Sequence, residues 1–162
     1  MPLGTPARRM PIPEDVRDFL GDLLGKSVSV SKRSVAPFDL EDKVYVTGLY
    51  VNDKDKLIGA CVSDIKLAAN AGAALALIPD VVAKEAIAAG KLEDGLRENF
   101  YEVANIVSAL LNGPSVPHLR LTELVDGVPD EVIELAATAA GHKHYDITIM
   151  DYDGGMMALV GI

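Results

Sequence analysis

Residues 92–112, LEDGLRENFYEVANIVSALLN, repeat apolar side chains with the period of a helix and stop at Gly113-Pro114. Leu96, Phe100, Val103, Ala104, Ile106, Val107, Leu110 and Leu111 fall on one side and predict the buried face. A rotation of about 100° per residue brings Glu98, Glu102, Asn105 and Ala109 onto a common opposite stripe. Two carboxylates and a carboxamide therefore line one solvent-facing ridge, and small Ser108 and Ala109 leave its far end open to a partner surface. Tyr101, beside Glu102, joins Glu98 and Ala109 as a candidate partner contact. A Glu and an Asn one turn apart can grip a cation and orient a water.

Outward from this helix the chain divides into blocks. Pro13-Glu14-Asp15 opens a short amphipathic helix that Gly25 ends, with proline and acids where the first turn prefers them. Ser27–Ser31 alternates with period two, and residues 43–51 and 56–62 read as strands joined by the polar Asn52–Asp55 connection. Ser63-Asp64 caps a helix running to Ile78, Pro79 closes it, and a second helix spans Asp80 to Ala89 before Gly90. After residues 92–112, His118–Val125 is a strand and Asp130–Ala140 a helix. Tyr145–Asp151 and Met156–Ile162 then pair as a hairpin across Tyr152–Gly155. Strands in blocks predict an α+β fold, an antiparallel sheet with helices packed on one face. Residues 1–12 read as a flexible leader and 13–162 as one domain.

The chain has 162 residues, 49% hydrophobic and 24% charged, with formal net charge −9. That balance is an ordinary globular one and argues against nucleic acid or an anionic membrane as partner, since both call for basic footprints. No stretch is long enough to span a bilayer, and no signal sequence is recognisable, so a cytoplasmic protein is expected. Cys61 is the only cysteine; it lies in an apolar run and reads as a buried, inert thiol. His142-Lys143-His144 would set two imidazoles on one face if a strand began there. A surface turn is the favoured reading, and no metal ligand is assigned. Ile65–Asn70 can be laid over Phe100–Asn105, with Asn70 under Asn105 but Leu67 where Glu102 stands, an echo of either a duplication or two Ala-rich helices alike by chance.

Glu102-x-x-Asn105 on a helix before a strand, followed at a distance by Pro129, resembles the CheC/CheX/FliY group of chemotaxis phosphatases. Their signature is Asp or Ser, three residues, Glu, two residues, Asn, then a Pro some two dozen residues on. Glu98 departs from the first position, while Glu102 and Asn105 match and Pro129 stands near the expected spacing. The likeness in element order runs from about Glu14 to Ile162, and the single motif is most similar to the CheX layout.

The resemblance implies a phosphatase that removes the phosphoryl group from the aspartate of a CheY-like receiver domain. Glu102 would contact the receiver's lysine, and Asn105 would enter its active site and orient the attacking water. Magnesium would come from the receiver, so the protein needs no cofactor of its own. The rival reading is a non-catalytic interaction module of the same fold, as in flagellar switch assemblies; a small-molecule-binding regulatory domain ranks third. Members of the group are often dimeric, and the apolar terminal hairpin around Met156–Val160 is expected to offer an edge for a homodimer.

Overall fold

Strand β3, Leu57–Asp64, is buried along almost its whole length, and so is β6, Gly154–Gly161. Apolar residues at successive positions mark strands covered on both faces, and these two lie side by side in the middle of the sheet. The computed structural model describes residues 8–138 and 141–162. Six strands form one antiparallel sheet in the order β1-β5-β6-β3-β2-β4, with β1 at Val28–Arg33, β2 at Tyr45–Val51, β4 at Arg120–Asp126 and β5 at Gly141–Ile149. The helices are α1 (Pro13–Leu24), α2 (Ile65–Leu75), α3 (Asp80–Ala89), α4 (Asp94–Val107) and α5 (Asp130–Thr138).

Alternation along the strands sorts the interior into two layers. Val46, Cys61, Tyr145, Ile147, Met157 and Leu159 face the larger core with α1, α2 and α4, and α3 packs outside on α2. Tyr45, Ala60, Val62, Met156 and Ala158 face the other way and meet Val132 of α5. The α+β antiparallel sheet is as expected from the sequence, but α5 departs from the one-face arrangement. The apolar residues on both sides of β3 and β6 require a cover on each face, and α5 supplies the second.

Burial of β6 also corrects the expected dimer edge. The terminal hairpin is not at the margin of the sheet: β6 pairs with β5 on one side and β3 on the other. The free edges belong to β1 and β4. Likewise His142-Lys143-His144 is not a turn but the start of β5, because Lys143 pairs with Leu159 in the β5–β6 ladder.

The leader also differs from expectation in its second part. Residues 1–7 lie outside the described residues, but Arg8 and Met10 are buried. The Arg8 guanidinium donates from Nε to the Ile162 carbonyl (2.9 Å), from one terminal nitrogen to Leu111 (2.5 Å) and from the other to Pro117 (2.7 Å). The Tyr145 hydroxyl donates to the Pro11 carbonyl at 2.6 Å. Arg8 thus ties the entry to the helical core, the loop after α4 and the last strand by three charge-assisted bonds. Burial lowers the Arg8 pKa from the usual guanidinium value.

Asp64 caps α2 as expected, accepting from the Leu67 N–H at 2.9 Å. Its second oxygen accepts from Met156 N–H at 3.1 Å, which stitches the cap to β6. The helix ends three residues before the expected Ile78, because Leu77 adopts φ 55° and Ile78 N–H turns back to the Ala73 carbonyl at 2.9 Å. That left-handed corner is normally a glycine position. Cys61 is buried, and burial pushes its thiol up to about 12, as the inert reading anticipates.

Two stability outcomes follow from these contacts. Arg8→Ala leaves buried carbonyls unmatched and should lower unfolding free energy by roughly 2–4 kcal/mol in urea titration, with Arg8→Lys recovering little because an ammonium cannot reproduce the fork. Leu77→Gly should instead raise stability by about 0.5–1 kcal/mol, since the strain of a left-handed leucine outweighs the added chain entropy of glycine. Thermal melts of the two variants should shift in opposite directions.

Candidate functional site

Helix α4 is assembled from its back outward. Leu96, Phe100, Val103, Ala104 and Val107 are buried, whereas Glu98, Tyr101, Glu102 and Asn105 are exposed. The ridge read from the sequence is therefore a ridge in the fold, and Ala109 at its far end is exposed as well. Both boundaries fall inside the expected 92–112, and the helix begins at Asp94. The α-helix stops at Val107 and tightens into a 3₁₀ turn, Ser108–Leu110. The Ser108 hydroxyl donates to the Asn105 carbonyl at 2.5 Å, so Ser108 folds inward and is buried rather than leaving the ridge open. A 3₁₀ turn advances about 120° per residue, which carries Ala109 off the α-helical stripe.

The support under the ridge comes from residues the sequence did not single out. Tyr50, buried in β2, donates its hydroxyl to the Ala104 carbonyl at 2.6 Å, directly beneath Asn105 in the chain. Asn99 Nδ2 donates to the Gly72 carbonyl in α2 at 3.0 Å. Arg97 reaches to β4, donating to Asp126 Oδ1 at 2.7 Å and to the Leu124 carbonyl at 3.0 Å. At the crossing of α2 and α4, a Cβ added to Gly72 would stand 2.9 Å from the Leu96 carbonyl oxygen. Only a glycine lets the two backbones approach so closely. None of these contacts has a local signature, since each joins residues from different elements far apart in sequence.

The ridge itself is unencumbered. Among the described residues, the side chains of Glu98, Glu102 and Asn105 take part in no hydrogen bond or ion pair to another side chain or to the backbone. Between α4 and edge strand β4 runs an open groove of about 420 Å³, bounded by Glu98 and Tyr101 on the helix and by Thr122, Glu123 and Leu124 on the strand. Glu98 and Tyr101 thus border a concave surface, while Glu102 and Asn105 stand on the exposed face of the same helix. Pro129 is not brought to the ridge. It precedes α5 and accepts from Val132 and Ile133 N–H groups, and its neighbour Val128 packs in the layer across the sheet.

The echo in α2 has a different fate. Asn70 is 1% exposed, donating to the Lys66 carbonyl at 2.8 Å and accepting from Asp153 N–H at 3.4 Å. Leu67 is buried too. The helix that could have held a second ridge is a core element, and the exposed Glu and Asn occur on α4.

Neither a scan against protein-family models nor a search of curated proteins finds a match. Solved structures do match. FliY of Thermotoga maritima superposes with a TM-score of 0.55 at 9% identity, over 90% of this chain and 81% of that one. FliM in the FliM–SpeE complex of H. pylori gives 0.57 at 11% identity, over 92% and 80%. This chain has the CheC/CheX/FliY-type fold. A CheX–CheY–BeF3–magnesium complex from Borrelia burgdorferi is also similar, with a TM-score of 0.46 at 14% identity over 88% and 90%. The fold assignment rests on the first two. No described helix is long and apolar enough to cross a membrane.

The close crossing at Gly72 is open to a direct test. Gly72→Ala should cost about 1–3 kcal/mol, the usual penalty for an overpacked contact, and should lower the thermal midpoint. Amide exchange should quicken along α4 more than in β5 and β6, because the inserted methyl levers α4 away from α2.

Proposed function

We propose that the α4 ridge docks against a phosphorylated CheY-like receiver domain and that Asn105 orients the water that hydrolyses its aspartyl phosphate. The observation that carries this reading is the joint exposure of Glu102 and Asn105 on a helix whose buried side is fixed by Tyr50, Arg97, Asn99 and Gly72. An aspartyl phosphate is a reactive acyl phosphate, and in this reading the receiver supplies the magnesium and a lysine. What it lacks is an aligned nucleophile. A carboxamide both donates and accepts hydrogen bonds, so a single Asn can hold a water in line with the phosphorus.

Glu102 then serves as the docking anion. An exposed ion pair is worth about 0–1 kcal/mol, and it gains strength as docking removes water from around it. Glu98 and Tyr101 would meet the partner along the α4–β4 groove, with Ala109 marking the end of the contact. A receiver partner places the reaction in the cytoplasm.

A second reading has its own support. Glu98 occupies the position where the resembled signature has Asp or Ser, and the fold is shared with the FliM–SpeE complex structure. In that reading the ridge binds a signalling or flagellar-switch partner without turnover.

The test is phosphate release from a receiver phosphorylated with a small-molecule phosphodonor in the presence of magnesium. Wild-type protein should accelerate the decay. Asn105→Ala should remove roughly 10²–10³-fold of that acceleration, the scale for losing one preorganised hydrogen-bonding group, with an unchanged thermal melt. Glu102→Gln should weaken receiver binding and make it less dependent on salt. Binding with no change in decay rate would instead establish the non-catalytic module.

A further inference from the structure

On the face of the sheet away from α4, two imidazoles meet. His142 and His144 are alternate residues of β5, so both point to the layer that α5 covers, and their Nε2 atoms stand 2.9 Å apart. His144 is 4% exposed and His142 half-buried. Phe38, from the segment between β1 and β2, stacks on the His144 ring at 5.5 Å and 16° and lies 6.1 Å from His142. The backbone of Ala136 in α5 lies close to the His142 ring. The pair is thus enclosed by the strand, by the Phe38 ring and by helix α5.

We propose that His142 and His144 form a two-point chelate for a divalent transition-metal ion of the copper(II) or nickel(II) class. The 2.9 Å spacing is that of a hydrogen bond between the two rings, and it also matches the bite of a square-planar ion. Two nitrogen ligands on adjacent corners of a square plane, each about 2.0 Å from the metal, lie about 2.8–2.9 Å apart. Tetrahedral zinc at about 2.0–2.1 Å separates its nitrogens by about 3.3–3.4 Å, so zinc would have to prise the pair open.

With the two Nε2 atoms 2.9 Å apart, one of them must present a lone pair to the other, because two facing N–H groups would repel. In the metal-free pair one Nε2–H donates to the other Nε2. On binding, that hydrogen relocates to Nδ1 of its ring, and both Nε2 lone pairs turn to the ion with no net proton released. The charges facing the pair are Arg33, opposite His144 on β1, and Asp146, two residues on along β5; they lie 3.5 Å apart and largely offset each other. No third His, Cys, Asp or Glu completes the cluster among the described residues. Water fills the remaining corners through the half-exposed His142 side.

The experiment is a calorimetric titration of untagged protein with copper(II) or nickel(II) alone. One saturable equivalent should bind, copper more tightly than nickel and nickel more tightly than zinc, with an accompanying rise in thermal midpoint. His142→Ala should weaken copper binding roughly tenfold or more, the least that losing a ligand should cost given what second-shell changes do. His118→Ala, at a distant loop, should bind as wild type does. His144 is buried, so its substitution is replaced by a measurement on the wild-type protein: the copper(II) EPR spectrum should show superhyperfine coupling to two imidazole nitrogens. A spectrum with oxygen ligands only, no saturable binding, or undiminished affinity in His142→Ala would each overturn the site.

Discussion

Helix α2 sits at the centre of the larger core, and the rest of the architecture depends on how small it is. Nine of its eleven residues are buried, and six of those nine are Ala or Gly. Small side chains give little hydrophobic transfer energy by themselves. What they give is proximity: helix axes packed on Ala and Gly approach to the short end of the usual 8–10 Å range, where dispersion contacts between backbones accumulate. Gly72 marks the tightest point, where the Leu96 carbonyl of α4 fills the space a side chain would occupy. Because α4 is pressed against α2 there and against β2 through Tyr50, the outer face of α4 is a fixed platform.

The order of elements was legible because each rests on local chemistry. Period-two runs gave the strands, Asp64 gave the α2 cap, and Gly25 and Gly90 take the left-handed corners that end α1 and α3. The sequence did not reveal which strand would be central. β6 reads as a plain apolar strand, and only its pairing with both β5 and β3 removes it from the edge. Residues 142–144 depart from the expected turn for a related reason. Their polar composition suggests a turn, whereas Lys143 is drawn into the β5–β6 ladder and the imidazoles are sheltered by Phe38 from a distant segment. Arg8 is the extreme case, since a lone arginine in a Pro-rich leader carries no local sign that three carbonyls over a hundred residues away will surround it.

The ridge was legible in proportion to its exposure. Helical period alone predicts that positions 98, 102 and 105 share a solvent-facing stripe, and they do. At the far end the stripe stops short, because the α-helical pitch does not continue through Ser108. A serine one turn beyond Asn105 can turn its hydroxyl back on the Asn105 carbonyl, and that side-chain competition with the backbone ends the helix. The echo in α2 shows the opposite limit. Asn70 and Asn105 look equivalent in sequence, and packing alone separates an asparagine that braces a loop from one that meets solvent.

Arg97 gives the ridge its electrostatic character by where it points. It is the only Lys or Arg between residues 92 and 112, and it is turned to Asp126 and the Leu124 carbonyl. Glu98 and Glu102, one turn apart, are therefore left without a cation on their own helix. A like-charge pair at this spacing costs a few tenths of a kcal/mol in water, a small strain that any cationic partner would relieve on docking. An arginine on the ridge would have neutralised it, and the chain instead uses that arginine to fasten edge strand β4. The fold thus keeps its one α4 cation for structure and leaves the helix surface acidic, which is the condition that an interaction with a lysine-bearing partner requires, whether or not turnover follows.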